Sequence, residues 1–449
     1  MSGSTLPDPL TQSPSSSSTD APSEIPSGSY RWYALGLLTV VYVVNFVDRQ
    51  ILSILLGSIK EEFGLTDTEL GFLAGITFAL FYATLGIPIA MWADRGNRRN
   101  IITLALTVFS VMTALCGQAT SFAYLVVARI GVGVGEAGAS PPSHSILSDL
   151  FPPKERATAL GIFATGVNIG IMIGFFAGGY INDLYGWRMA FMVVGVPGLL
   201  LAVIVRFTLK EPERGASEGR AGEAAEAAPS IGAAAKKFFR TRTLRHIALA
   251  AALNAFVGYG AVTWFAEFLR RSYQMSSSES GLTLAIMFGI VGGIGTFFGG
   301  YTADRLAKRD IRWNLWLPAA VVVIAMPFTF GVFLSDTSAA SLAFFILPAL
   351  VGTVYLGPSI AMVQALVPLR MRTVASAILL FVINIIGLGL GPQMVGVMSD
   401  LLKDRFADES LRYALLMAAT INLWSAAHFV IAARSLKQDL AQVAENTAE

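Results

Sequence analysis

Apolar residues fall in twelve blocks of about twenty, at roughly 31–57, 68–92, 100–119, 122–147, 156–181, 187–208, 244–268, 279–302, 313–334, 339–365, 373–399 and 411–433. Short polar loops separate them. A block of that length crosses a hydrocarbon core of about 30 Å as one helix, whereas buried strands and helices of soluble proteins need shorter runs. The pattern predicts an all-α membrane protein of twelve transmembrane helices. Its parts read as a tail over 1–29, six spans over 30–208, a linker over 209–243, six further spans over 244–434 and a second tail over 435–449. The first tail is rich in Ser and Pro and holds no apolar core, so it reads as disordered rather than as a signal peptide. The linker is rich in Ala, Gly and Glu and then turns basic at Lys236, Lys237, Arg240, Arg242 and Arg245.

The second half repeats the first. Phe63, Thr66, Glu69, Gly71, Asp94 and Arg95 recur at identical spacing as Tyr273, Ser276, Glu279, Gly281, Asp304 and Arg305. Thr66-x-x-Glu69 and Ser276-x-x-Glu279 have the form of capping boxes, each opening a membrane helix after a loop. Arg156 and Asn168 return as Arg372 and Asn384, and Gly174 and Asp183 as Gly391 and Asp400, one residue out of register. Six spans followed by six in the same orientation predict two bundles related by an axis along the membrane normal, with substrate between them.

Composition agrees with the pattern. The chain is 54% hydrophobic and 14% charged, against about 25% charged in soluble domains. Net charge is only +2, but its placement is uneven. Arg95, Arg98, Arg99, Lys154, Arg156, Arg305, Lys308, Arg309, Arg312, Arg370 and Arg372 share one side with the basic linker, and few cations lie opposite. The positive-inside rule then places both termini and the linker in the cytoplasm. One cysteine, Cys116, and three scattered histidines leave no basis for a disulfide framework, a zinc site or a haem.

Four charges lie deep in apolar spans: Asp48, Arg49, Arg129 and Glu136. Each costs roughly 2.5–3.5 kcal/mol on insertion scales and persists when paired or facing a cavity. Their counterparts in the second half are uncharged: Gly258, Tyr259, Ile346 and about Gly352. A symmetric scaffold does not need them, which favours function. Adjacent residues point about 100° apart on a helix, so Asp48 and Arg49 each need a partner elsewhere. Arg129 and Glu136, seven apart, share a face. An Arg that exchanges between a carboxylate and an anionic head group would leave Glu136 or Asp48 to take a proton, coupling proton movement to transport.

Several motifs resemble the major facilitator superfamily. Ala90-Met-Trp-Ala93-Asp94-Arg95-Gly96-Asn97-Arg98-Arg99 is similar to its cytoplasmic loop signature, with Ala90 where Gly is usual, and Gly300-Tyr-Thr-Ala303-Asp304-Arg305 echoes it. Arg129-Ile-Gly131-Val-Gly133-Val-Gly135-Glu136 resembles its glycine-rich fourth helix. Gly170-x-x-x-Gly174-x-x-x-Gly178-Gly179 resembles the fifth-helix antiporter motif, with Phe175 where Pro is expected. Asn45-Phe-Val-Asp48-Arg49 together with Gly133-Val-Gly135-Glu136-Ala137 narrows the resemblance to the spinster family of lipid transporters.

That resemblance implies the major facilitator fold and a secondary active transporter for an amphiphilic or lipid-like anion, such as a lysolipid or sphingosine phosphate. Asn45, Asp48, Arg49, Arg129 and Glu136 would serve substrate and proton coupling. Asp94, Arg95, Arg98, Arg99, Asp304 and Arg305 would form a cytoplasmic gate. The expected setting is a monomer in the inner or plasma membrane, touching lipids, an amphiphilic or anionic small molecule and protons. It would use the proton gradient and no cofactor, metal or nucleic acid. A proton-coupled symporter of small organic anions is the alternative. A membrane enzyme would need a nucleophile with its base or a metal cluster, and the chain reads as carrying neither. No Gly-Lys-Ser/Thr loop offers direct ATP drive.

Overall fold

The structure is a computed structural model. It describes residues 28–215, 217, 231–368 and 371–448. Nearly all of the first tail, residues 216 and 218–230 of the linker, and Arg370 lie outside the described residues.

The described elements are helical throughout. In the first half they are α1 (Gly28–Phe63), α2 (Asp67–Ala74), α3 (Ile76–Arg95), α4 (Arg98–Cys116), α5 (Phe122–Glu136), α6 (Ser140–Leu150) and α7 (Pro153–Thr208). Then come α8 (Ile231–Arg240) in the linker, α9 (Arg242–Tyr273), α10 (Ser277–Leu284), α11 (Gly292–Ala307), α12 (Trp313–Leu334), α13 (Ser338–Val351), α14 (Leu356–Ala365), α15 (Arg372–Ile383), α16 (Gly391–Phe406) and α17 (Ser410–Ala448). Two π-helical segments, Ala285–Val291 and Asn384–Leu390, join α10 to α11 and α15 to α16.

Among the described residues, ten continuous stretches are long and apolar enough to cross a membrane. Two of them contain a break. Gly186 interrupts α7 with φ 82°, a conformation that costs glycine nothing. A turn at Ala407–Glu409 separates α16 from α17. Other spans bend inside: α2 meets α3 at Gly75, and α5 stops at Glu136 before Pro141 and Pro142 start α6. α1 begins at Gly28, inside the segment read as tail, and α17 runs on through the segment read as a second tail.

Close packing follows the small residues. Gly166, Gly170, Gly174 and Gly178, each four apart on α7, lie against Thr39, Val43, Val47 and Ile54 of α1. A side chain at any of these would meet backbone or a branched residue, so the stripe is a packing face. The next glycine, Gly179, meets the Ser277 carbonyl of the other half, and Gly281 meets the Phe175 carbonyl. At the second seam Gly71 lies on Pro392 and Gln393, and Gly396 on the Asp67 carbonyl. Both π-helical segments face the first half along these seams, one against α7 and one against α3.

Both predicted capping boxes are present, with Thr66 and Ser276 hydroxyls accepting from the Glu69 and Glu279 amides. The two remaining free amides at each helix start are held from the other half. Asp400 accepts from the Asp67 and Thr68 amides at 3.1 and 2.7 Å. Asp183 accepts from the Ser277 and Ser278 amides at 3.2 and 2.7 Å. Orphan amides and the positive end of the helix both favour a carboxylate there. These two clasps lie at the end of the molecule away from the linker.

Candidate functional site

The four deep charges of the first half converge. Arg49 Nε lies 2.6 Å from Glu136 Oε2. Arg129 Nη1 lies 3.9 Å from Asp48 Oδ1, an ion pair too long for a hydrogen bond. Asp48, Arg129 and Glu136 are at most 2% exposed, and Arg49 keeps 11% of its side chain open. The adjacent residues of α1 thus reach two different positions on α5, as a 100° turn per residue requires. Glycines pack α5 closely on its neighbours α3 and α4: Gly133 lies on the Phe78 backbone and Gly135 on the Phe109 backbone. Glu136 ends α5, at the interruption before α6.

Arg49 is also boxed by aromatic rings, with its guanidinium carbon 4.4 Å from the Tyr82 centroid, 4.9 Å from Phe46 and 5.1 Å from Phe78. Arg129 lies 5.2 Å from the same Phe78 ring. A delocalised cation stacks on such faces with modest gain, more when desolvated. Tyr259, the second half's counterpart of Arg49, lies within electrostatic reach of Arg49 and Tyr82. Sequence reasoning had not singled out Phe46, Phe78 or Tyr82. Phe46, three residues before Arg49 on one helix, carried a signal; the other two arrive only through tertiary packing.

The cluster is not self-satisfied. Both polar atoms of Asn45, both carboxylate oxygens of Asp48, Nε and Nη1 of Arg129 and Oε1 of Glu136 are buried without a hydrogen-bond partner. Buried polar atoms are almost always paired, so this many in one place marks the cluster as a candidate site. Together they offer a cation with one open face and two carboxylates with unused lone pairs.

The residues read as a gate behave differently from one another. Asp94, Arg95, Asp304 and Arg305 are exposed, and among the described residues none bonds to the other half. Arg98 is fully buried. It pairs with Asp149 and with Glu211 at 2.7 Å, and donates to Ser145 and the Pro212 carbonyl at 2.8 and 2.7 Å. The Arg99 amide donates to Glu211 at 2.8 Å. Arg98 therefore ties α4, α6 and the start of the linker together within the first half.

Bonds between the halves gather instead at the end away from the linker. Besides the two aspartate clasps, Arg271 donates both terminal nitrogens to Asp67 at 2.7 and 2.6 Å, and Arg270 reaches Glu61 at 2.7 Å. Glu267 accepts from both arginines, and Gln393 donates to the Thr68 carbonyl at 3.2 Å. Asp183 and Asp400 had been visible as repeats, but nothing local in the sequence showed that each caps a helix of the opposite half.

Two letter patterns that enzymes use occur in the sequence, His-x-x-x-x-Asp and Gly-x-Ser-x-Gly. In His144-x-x-x-x-Asp149, Asp149 is taken by Arg98 and the Gly215 amide, while the His144 ring stands edge-on to Phe163. In Gly215-Ala-Ser217-Glu-Gly219, within the linker, Ser217 donates to the Ser148 carbonyl of α6 at 2.8 Å and accepts from Arg156 at 3.1 Å. Among the described residues no three His, Cys, Asp or Glu side chains gather as metal ligands.

Residues 38–392 match the family model of the Major Facilitator Superfamily. The fold is similar to the solved structure of a bacterial homolog to the human lysosomal transporter Spinster, in an inward-facing and unoccupied conformation, with a TM-score of 0.82 and 32% identity over 92% of this chain and 99% of that one. An MFS-type efflux pump of Mycolicibacterium smegmatis is 32% identical over 92% of this chain and 95% of its own length. A probable L-galactonate transporter of Escherichia coli is 30% identical over 61% of this chain and 62% of its own. The chain belongs to the Major Facilitator Superfamily, and is a multi-pass membrane transporter rather than an enzyme.

Proposed function

We propose that this transporter moves an amphiphilic or lipid-like anion, of the lysolipid or sphingosine-phosphate type, by proton-coupled alternating access. The observation that carries the proposal is the Arg49–Glu136 pair at 2.6 Å, one turn from a fully buried Asn45 with no partner and beside Asp48 and Arg129, whose polar atoms are left over. An anionic head group competes with Glu136 for the open face of Arg49. Once displaced, Glu136 is a buried carboxylate without its counter-ion, and a bound proton removes that cost. Release of the anion returns Arg49 to Glu136 and the proton to water. Aromatic rings around Arg49 suit the boundary between a head group and an apolar tail.

In this reading there are twelve spans, split as two bundles of six, with both termini and the linker in the cytoplasm. The clasps of Asp183 and Asp400 close the outer side. The exposed Asp94, Arg95, Asp304 and Arg305 meet across the cytoplasmic side only when those clasps open, and Arg98 and Arg99 position the loop that carries Asp94. Similarity to the Spinster homolog supports the spinster-type reading. Similarity to an L-galactonate transporter supports a second reading, symport of a small organic anion, over a shorter stretch.

Uptake by the purified protein in liposomes under an imposed pH gradient separates the two. Gradient-driven movement of a fluorescent lysophospholipid, not competed by a sugar acid, is the expected result. Movement of the sugar acid alone would overturn the amphiphile and favour the symporter.

A further inference from the structure

Among its described residues the linker contains a helix with no role in the cycle above. α8 (Ile231–Arg240) is amphipathic: Ala234 and Phe238, four apart, are 1% exposed against the second bundle. They belong to a buried cluster with Leu244 and Ile247 of α9. Lys236 and Arg240, also four apart, lie on the opposite face. Lys237 and Phe239 occupy its two flanks, and all four are exposed. An extended Thr241 then turns the chain into α9, whose first turns add exposed Arg242 and Arg245.

Five cations thus occur within residues 231–245 without one acidic residue. None of the five makes an ion pair among the described residues. Asp439 of α17 accepts from the Thr243 amide at 3.0 Å. Topology alone asks for cations near a span but not for a folded helix that buries one face, aligns its charges on the other and leaves a large aromatic, Phe239, beside them.

We propose that α8 and the start of α9 form a docking surface for the anionic phospholipid head groups of the leaflet on the linker side. Lys236, Lys237, Arg240, Arg242 and Arg245 face the phosphates, and Phe239 enters the boundary region. Charge complementarity and continuity with a membrane-spanning helix select a bilayer surface as the occupant. Clusters of four to eight cations just outside a span have this effect on anionic leaflets, each worth about a fivefold change in association. The helix would anchor the second bundle by its linker end while the first moves.

Hydrogen exchange of residues 231–245, in the full-length protein held in nanodiscs, tests this without any transport readout. Discs of phosphatidylcholine alone are compared with discs containing phosphatidylglycerol, for the natural chain and for Lys236→Gln/Lys237→Gln/Arg240→Gln. Slower exchange in the anionic discs, lost in the triple variant and at high salt, is expected. About a hundredfold weaker association follows from three lost cations. Protection of α9 and α17 in the same data reports whether the variant remains folded. Equal exchange of the natural chain in both discs would overturn the proposal. So would anionic-lipid protection that survives in the triple variant.

Discussion

The two halves of this transporter agree at one end and disagree at the middle. At the end away from the linker, each half supplies one aspartate, Asp183 or Asp400, that caps a helix of the other through two backbone amides. Each capped helix carries the same capping box. At the centre, Arg49 and Glu136 form a buried ion pair in the first half, where the second half presents Tyr259 and an uncharged helix. Closure between halves is a job both must do, so both keep its parts. In the proposed cycle one substrate and one proton are held once, and a second set of buried charges would cost several kcal/mol without a use.

The largest expected effect falls on the asymmetric region. Arg49→Ala strands a fully buried Glu136 and should cost about 3–5 kcal/mol of stability, with transport abolished. Adding Glu136→Gln should restore most of the melting temperature but not transport, because the buried charge is gone and the exchange partner with it. A double variant no more stable than the single would contradict the account of this pair.

Effects on the symmetric region should be smaller and equal. Asp183→Asn and Asp400→Asn each weaken a cap, worth typically about 1 kcal/mol, and should shift the balance between closed and open outer sides about fivefold. Spin-label distances across the two seams would read this. The arms share no partner, so their effects should add. A large effect from one aspartate and none from the other would break the symmetry argument. Smallest of all should be Tyr259→Phe, which keeps the ring near Arg49. We expect a change of about threefold or less in apparent substrate affinity, and a loss comparable to Arg49→Ala would mean that the second half shares the chemistry.

Much of this was legible along the chain because its cause is local or periodic. Hydrocarbon thickness dictates span length, capping boxes need residues only three apart, and an unpaired charge in an apolar run is conspicuous wherever it falls. The direction of pairing was legible too: Asp48 and Arg49 could not serve one partner. The structure adds what depends on distant backbone. Which glycine meets which carbonyl, that Phe78 and Tyr82 box Arg49, and that Asp400 caps the helix at Asp67 all join positions far apart in sequence. Arg98 shows the limit in the other direction: a loop motif gave it the same expectation as Arg95, yet Asp149 and Glu211 draw it inside the first half.

Proton flux into liposomes holding the purified protein, with and without a lysophospholipid, compared between the natural chain and Glu136→Gln, tests the central claim most directly. Substrate-dependent flux in the natural chain, absent in the variant while substrate still binds, is the predicted result. A Glu136→Gln protein that still accumulates substrate against its gradient at the expense of the pH gradient would contradict it.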